Sequence, residues 1–467
     1  MRGNQASYSQ WFRFTWRERT GENVMSKNLQ SLWSKNVSIK DGELHCAGIS
    51  ATSLAAEFKT PTFFLDEDDF RSRALTWNSE LSNAFGPQAG RVYYAAKAFI
   101  CVEVARWIAD MGIGIDVCTG GELAVALKGG IKPENIELHG NNKSLEEIEQ
   151  AVSAGVGIIV IDSLIEIERV AAIAQSAGKV QKVLLRLTAG VEAHTHESIA
   201  TAHEDVKFGF SIASGAAWQA VIQTKKYSSL ELRGFHSHIG SQIFETEPFG
   251  LAADRLIELL AKFNAEFGEQ LPELDLGGGY GIAYLEDEAE IQASDVLKTL
   301  ATVVKQSCAK HSLDVPKISI EPGRTIVGPT MFTLYTVGTT KVVTLDNGST
   351  RNYVSVDGGM SDNLRTALYG AEYTAIIANR QSSSKKTATR IVGKHCETGD
   401  IIIKDIDMPA DIAPGDLLAT PATGAYGRSM ATNYNHITRP PVVAIKDAKA
   451  RVILRRESIE DLLRLDI

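Results

Sequence analysis

The sequence predicts an α/β protein in two parts: a (β/α)8 barrel of the TIM type, then a second, mostly antiparallel β-domain. Three observations carry this. Between about residues 90 and 324, short apolar runs of strand character alternate with helix-like segments. Those runs are near-continuous in apolar residues, as strands covered on both faces are. Eight of them can be counted, the number that closes such a barrel. After about residue 325 the texture changes to short β-prone runs punctuated by Gly and Pro. An open, doubly wound sheet is the alternative for the alternating part.

Residues 1–24 carry Arg2, Arg13, Arg17 and Arg19 with Trp11 and Trp16 but lack the apolar stretch of a secretory signal. They are expected to be a disordered extension ahead of Met25; a short arm packed through both tryptophans is the other possibility. Residues 25–60 form an N-terminal segment. Its stretch 36–48 has the pattern of a hairpin turning at Asp41-Gly42 and is expected to join the β-domain. The barrel is placed at 61–324, opening with a strand at 62–65 and the acidic helix start Asp66-Glu67-Asp68-Asp69. The eight strands end at Lys97, Asp116, His139, Asp162, Arg186, His238, Leu276 and Glu321, with helices at 101–110, 121–128, 144–154, 164–177 and 248–267 among the connections. In the β-domain, 325–467, strands are expected at 332–337, 353–356, 389–393, 401–404, 442–445 and 452–454. The polar stretch 381–386 makes an exposed loop tip.

Composition narrows the function classes. The 467 residues leave room for two or three domains at about 150 each. Hydrophobic residues make up 44% and charged residues 22%, the balance of an ordinary soluble protein. A net charge of −9 argues against nucleic acid or an anionic membrane as the main partner. The five cysteines are scattered with no CxxC pair, which fits free thiols in a reducing, cytoplasmic compartment. No apolar run approaches the roughly 18 residues of a membrane span.

The residues that carry chemistry sit at strand ends, the catalytic face of this architecture. Lys97 closes the apolar run 91–96. A lysine partly desolvated there has a lowered pKa and can form a Schiff base; snorkelling to water is the plain alternative. Gly277-Gly278-Gly279-Tyr280-Gly281 follows the seventh strand, where converging backbone N–H groups can hold a phosphate, or simply make a tight turn. Its spacing is not that of a dinucleotide fingerprint. His238-Ile239-Gly240-Ser241-Gln242 follows the sixth strand. There His238 can stack on an aromatic ring or be a buried structural histidine, and Ser241 can donate to phosphate. His236 is taken as structural. Glu321-Pro322-Gly323-Arg324 ends the eighth strand. Glu321 can keep a ring nitrogen protonated and Arg324 can hold a carboxylate, unless the two simply pair with each other. Together these describe a site for pyridoxal 5'-phosphate.

At this point the chain resembles the diaminopimelate decarboxylases, pyridoxal-phosphate enzymes with an alanine-racemase-like barrel, from about residue 30 to its end. The resemblance is carried by Tyr94-Ala95-Ala96-Lys97-Ala98-Phe99, Asp116-Val117-Cys118-Thr119-Gly120-Gly121-Glu122 and His139-Gly140-Asn141-Asn142-Lys143-Ser144. It continues through 236–242, 277–281, 321–324 and Asp357-Gly358-Gly359-Met360-Ser361-Asp362-Asn363. It ends in Cys396-Glu397-Thr398-Gly399-Asp400 and Ala425-Tyr426-Gly427. It implies that Lys97 bonds the cofactor, His238 stacks on its ring and Glu321 faces its nitrogen. Ser241, Gly277, Gly278, Gly279, Gly323, Arg324 and Tyr426 would surround the remainder. Arg324, Arg365, Tyr369, Glu397 and Tyr426 would bind substrate. Cys396 and Glu397, reaching in from the other subunit of a homodimer, would donate the proton and read the distal amine. Arg365 and Tyr369 stand four apart, so one helical face can present both.

A lone cysteine is ordinarily buried and inert, but Lys394 and His395 beside Cys396 would lower its pKa. His194, His196 and His203 lie in no fixed ligand motif and are taken as loop residues, so no metal is expected. The implied reaction converts meso-2,6-diaminopimelate to L-lysine and carbon dioxide. The rivals are an ornithine, arginine or carboxynorspermidine decarboxylase of the same fold, or a non-catalytic cofactor-binding regulator.

Overall fold

The computed structural model describes residues 30–191 and 207–467. The expected extension at 1–24 lies outside them, as do His194, His196 and His203. Eight parallel strands close into a barrel: Ala89–Ala95, Gly114–Val117, Ile136–Leu138, Ile158–Ile161, Gln181–Thr188, Leu230–His236, Glu273–Asp275 and Lys317–Ile320. Closure is made where Lys317–Ile320 pairs in parallel with Ala89–Ala95. An open sheet would leave that edge unpaired, so the doubly wound alternative falls. The strands are rich in Ile, Val and Leu, and almost all of those side chains are fully buried.

The connecting helices begin where the local chemistry directs. Ser144 caps Leu145–Ala154 in a capping box with Glu147, and Gly155 ends it in the left-handed conformation, φ 79°. Helix Glu67–Phe85 is capped by Asp66, and its Phe70 and Trp77 pack on Tyr94 and Tyr280 at ring-centroid distances of 5.5 and 4.6 Å. It therefore seals the barrel next to the first strand.

The second sheet has strand Met331–Thr344 near its centre, paired with Thr350–Val356, Leu417–Thr420 and Thr62–Asp66, all antiparallel. Two of its pairings are parallel, Thr62–Asp66 with Val442–Lys446 and Thr350–Val356 with Lys386–Val392. The strand at Thr62–Asp66 thus corrects the expected start of the barrel at 61: it is a β-domain strand, and the chain enters the barrel only with the helix at Glu67. The N-terminal residues form a small three-stranded sheet, Val37–Lys40, Glu43–Cys46 and Ile49–Ser50, turning at Asp41 and Gly42, both with positive φ. Its Leu44 and Cys46 share a core with Phe64, Phe332 and Val443, so it packs on the β-domain. Among the described residues no helix is long and apolar enough to cross a membrane.

Candidate active site

Strand ends and β-domain loops meet around a pocket of about 320 Å³. Lys97, His238, Ser241, Gly279, Glu321, Gly323, Arg324, Arg365, Tyr369 and Tyr426 all line it. Residues separated by more than 300 positions are brought together because the β-domain folds back over the barrel mouth. Tyr426, with φ 60°, is fixed there by its N–H to the carbonyl of Ala98, 2.9 Å. Gln242 and Thr325 also line the pocket and carried no expectation from sequence.

Lys97 Nζ lies 3.7 Å from Asp116 Oδ2. Burial pulls its amine down, but the carboxylates of Asp116 and Glu321 outweigh this and hold the pKa above the ordinary lysine value. This corrects the expectation of a lowered pKa: the sequence shows the desolvation but not the acids arriving from neighbouring strands. Burial, partly offset by Lys97, lifts Asp116 to about 6.

Glu321 does not pair with Arg324. Its Oε1 sits 3.0 Å from Nε2 of both His139 and His236, on the floor of the pocket inside the barrel. Burial opposes ionisation of Glu321, but the two imidazoles prevail and its pKa falls well below the usual carboxylate range. Burial also opposes protonation of His139; the Glu321 and Glu137 carboxylates nevertheless lift it to about 9. Burial brings His236 down to about 4. The arrangement at neutral pH is an ionised Glu321 between a charged His139 and a neutral His236. His236 thus supports a site residue, and His139, a strand end without an assigned role, is the cation in contact with Glu321 under the pocket.

His238 is held by its Nδ1, which accepts the N–H of Gly278 at 3.4 Å. Burial, reinforced by Lys97 and Arg186, keeps its pKa well below the ordinary histidine value, so it presents a neutral ring to the pocket. The glycine run is not a uniform anion cradle. The N–H of Gly277 is taken by Asp275 Oδ1 at 2.7 Å and that of Gly278 by His238, leaving Gly279 as the glycine of this run on the pocket wall. A Cβ on Gly278 would stand 2.1 Å from the Glu321 carbonyl oxygen, and one on Gly279 2.2 Å from that of Gly240. The run is glycine first because two strand-end loops touch there.

Arg324 donates to Ser241 Oγ at 2.9 Å and to the hydroxyl of Tyr284 at 2.6 Å, and lies over the ring of Tyr426 at 4.6 Å. Arg365 donates to the hydroxyl of Tyr373 at 2.5 Å and lies over the ring of Tyr284 at 4.4 Å. Tyr284 and Tyr373 carried no expectation from sequence. Cys396 and Glu397 are both exposed and do not line the pocket. His395, expected to activate Cys396, instead directs its ring nitrogens to Ser361 Oγ at 2.8 Å and Asn435 Oδ1 at 3.1 Å.

The site residues fit pyridoxal phosphate. They offer an amine, a neutral ring wall, an ionised carboxylate on the floor, and Ser241, Thr325 and the close backbone of Gly279 on the wall for a phosphate. Residues 67–328 match the family model described as "Pyridoxal-dependent decarboxylase, pyridoxal binding domain". The class is therefore a pyridoxal-dependent decarboxylase on a parallel barrel. The diaminopimelate decarboxylase of Mycobacterium tuberculosis is 53% identical over 442 residues, covering 94% of this chain and 98% of that protein. The crystal structure of the M. jannaschii diaminopimelate decarboxylase in complex with L-lysine superposes with a TM-score of 0.84 at 30% identity, over 93% of this chain and 98% of that one. The Helicobacter pylori enzyme, also with L-lysine, gives 0.80 at 32%, over 89% and 98%. Within its class, the chain belongs to the diaminopimelate decarboxylase family.

Proposed function

We propose that this chain, using pyridoxal phosphate held at Lys97, removes one carboxylate of meso-2,6-diaminopimelate to give L-lysine and carbon dioxide, in a site completed by a second copy. The observation that carries the reading is the meeting of Lys97, ionised Glu321 and the guanidiniums of Arg324 and Arg365 in one pocket. An amine and a buried carboxylate alone would suit many amino acids. Two arginines suit a substrate that still carries a carboxylate after the first has left.

Pyridoxal phosphate supplies the electron sink for loss of a carboxylate. The residues of this chain do the rest. Glu321, kept ionised by His139 and His236, would hold a proton on the cofactor's ring nitrogen. Asp116, 3.7 Å from Lys97 Nζ, offsets the positive charge on that amine and orients it. His238 would wall the cofactor ring without adding charge. Ser241, Gly279 and Gly323 would close the phosphate end. Arg324, Arg365, Tyr369 and Tyr426 orient the distal end, so that the departing carboxylate is placed for cleavage in a site shielded from bulk water. Cys396 Sγ–H supplies the proton that replaces carbon dioxide on the substrate carbon, and Glu397 meets the distal amine.

The exposure of Cys396 and Glu397 away from the pocket of their own chain supports their delivery to the pocket of a second copy. The test is borohydride reduction of the cofactor-loaded protein followed by peptide mass mapping. The phosphopyridoxyl mark is expected on Lys97; a mark on another lysine overturns the site.

A further inference from the structure

Resting on that reading, we propose that Tyr284 is the positioning residue that makes this pocket select a ligand with a distal carboxylate. It holds Arg324 through its hydroxyl and Arg365 through its ring face, and so presents two guanidiniums that no carboxylate among the described residues of the chain neutralises.

The geometry is specific. Tyr284 Oη accepts from Arg324 at 2.6 Å, while the Arg365 guanidinium carbon lies 4.4 Å from the centre of the same ring. Tyr284 is itself fixed: its N–H donates to Glu288 Oε2 at 2.7 Å, and its ring meets Tyr373 edge-on at 5.2 Å and 80°. It is 5% exposed and stands behind the lining residues, so it acts on a ligand only through the arginines.

Among the described residues no carboxylate lies within ion-pair distance of Arg324 or Arg365, although both are buried. Buried guanidiniums are usually paired with acids. An acid here would occupy the planar donor edge that a ligand carboxylate needs. A phenol takes one N–H and stays neutral, and an aromatic face supports a cation without consuming any donor. Three tyrosines in place of acids therefore leave the charge and the donor edges for the ligand. Tyr284 is the one that touches both arginines.

The test compares two reversible inhibitors of the cofactor-loaded enzyme that differ by one carboxylate, L-lysine and cadaverine. Tyr284→Phe keeps the ring and removes the hydroxyl; Tyr284→Leu removes both supports. The preference for lysine over cadaverine is expected to fall about tenfold in Tyr284→Phe, as for a lost hydrogen bond to a charged group, and further in Tyr284→Leu. In the Phe variant the cadaverine constant and the visible spectrum of the bound cofactor stay as in wild type. KM for meso-diaminopimelate rises while kcat stays within about twofold.

An unchanged preference in Tyr284→Phe, or equal weakening of both inhibitors, overturns the proposal. Should the Leu variant fail to fold, the Phe variant decides alone. A wild-type enzyme that does not act on meso-diaminopimelate but shows the lysine preference, lost in the variant, overturns the substrate assignment and leaves the role of Tyr284 standing.

Discussion

Replacing His139 by leucine probes the electrostatic floor of the pocket. His139 is 6% exposed, and its Nε2 lies 3.0 Å from Glu321 Oε1 and 3.5 Å from Glu137 Oε2. Oxygens of Glu137, Asp275 and Glu321 lie within 4.8 Å of one another. Without the imidazolium, the ionised Glu321 faces these two acids with the neutral His236 in contact and the more distant charges of Lys97 and Arg186 against them. The rise of His139 from 6.5 to about 9 gives the scale: at 1.36 kcal/mol for each pH unit it is worth about 3 kcal/mol. That matches the roughly 3–5 kcal/mol lost when one member of a buried ion pair is removed. A neutral hydrogen bond in the same place would cost only about 1 kcal/mol. The assay is urea unfolding of wild type, His139→Leu, Glu321→Gln and the double variant, all without cofactor. The expected loss for His139→Leu is about 3 kcal/mol, with a coupling of at least about 2 kcal/mol between the sites, because removing both charges leaves neither unpaired. Additive effects within about 0.5 kcal/mol would refute the ion pair. The pH dependence has a fixed sign. A folded-state pKa above the unfolded one stabilises fully below about 6.5, and the contribution disappears as pH rises through about 9. The deficit of His139→Leu therefore shrinks at high pH.

Other predictions follow from the same geometry. Lys97→Ala abolishes turnover, and a rate near that of wild type in a steady-state assay would sink the assignment. Cys396→Ala lowers turnover far more than cofactor affinity. Unfolding and refolding it together with Lys97→Ala in equal amounts restores roughly a quarter of wild-type activity if two copies share sites, since half the dimers then hold one intact site; no restoration rules out sharing. Gly278→Ala forces the strand-end loops apart, with about 1–3 kcal/mol of overpacking strain and weaker cofactor retention. Thermal unfolding and a cofactor titration both unchanged would show that the contact relaxes freely.

The barrel was legible because each buried strand announces itself locally, as a short apolar run with a polar residue where it meets the mouth. Membership of a sheet was not. Thr62–Asp66 is as apolar as the barrel strands, and only its partners Met331–Thr344 and Val442–Lys446 reveal which sheet it serves. The brief strands Ile376–Ile377 and Leu417–Thr420 lacked an alternation long enough to register.

In the site, residues with distinctive chemistry at strand ends, Lys97 and Glu321 among them, could be picked out one by one. Their charge states could not, because these depend on pairs such as Lys97–Asp116 and Glu321–His139, drawn from different strands. Tyr284 and Tyr373 were invisible for a related reason: a tyrosine gains its role only when an arginine lies on it. His395 shows the reverse error, a neighbour in sequence whose side chain faces elsewhere.

The most direct test of the central claim is parallel turnover of meso-diaminopimelate, L-ornithine, L-arginine and carboxynorspermidine by the cofactor-loaded protein, with product read by mass and carbon dioxide by trapping. Lysine and carbon dioxide are expected from meso-diaminopimelate, with no comparable turnover of the others. Preferred turnover of ornithine or arginine would contradict it, because the Arg324 and Arg365 guanidiniums would then face a ligand end that carries no carboxylate.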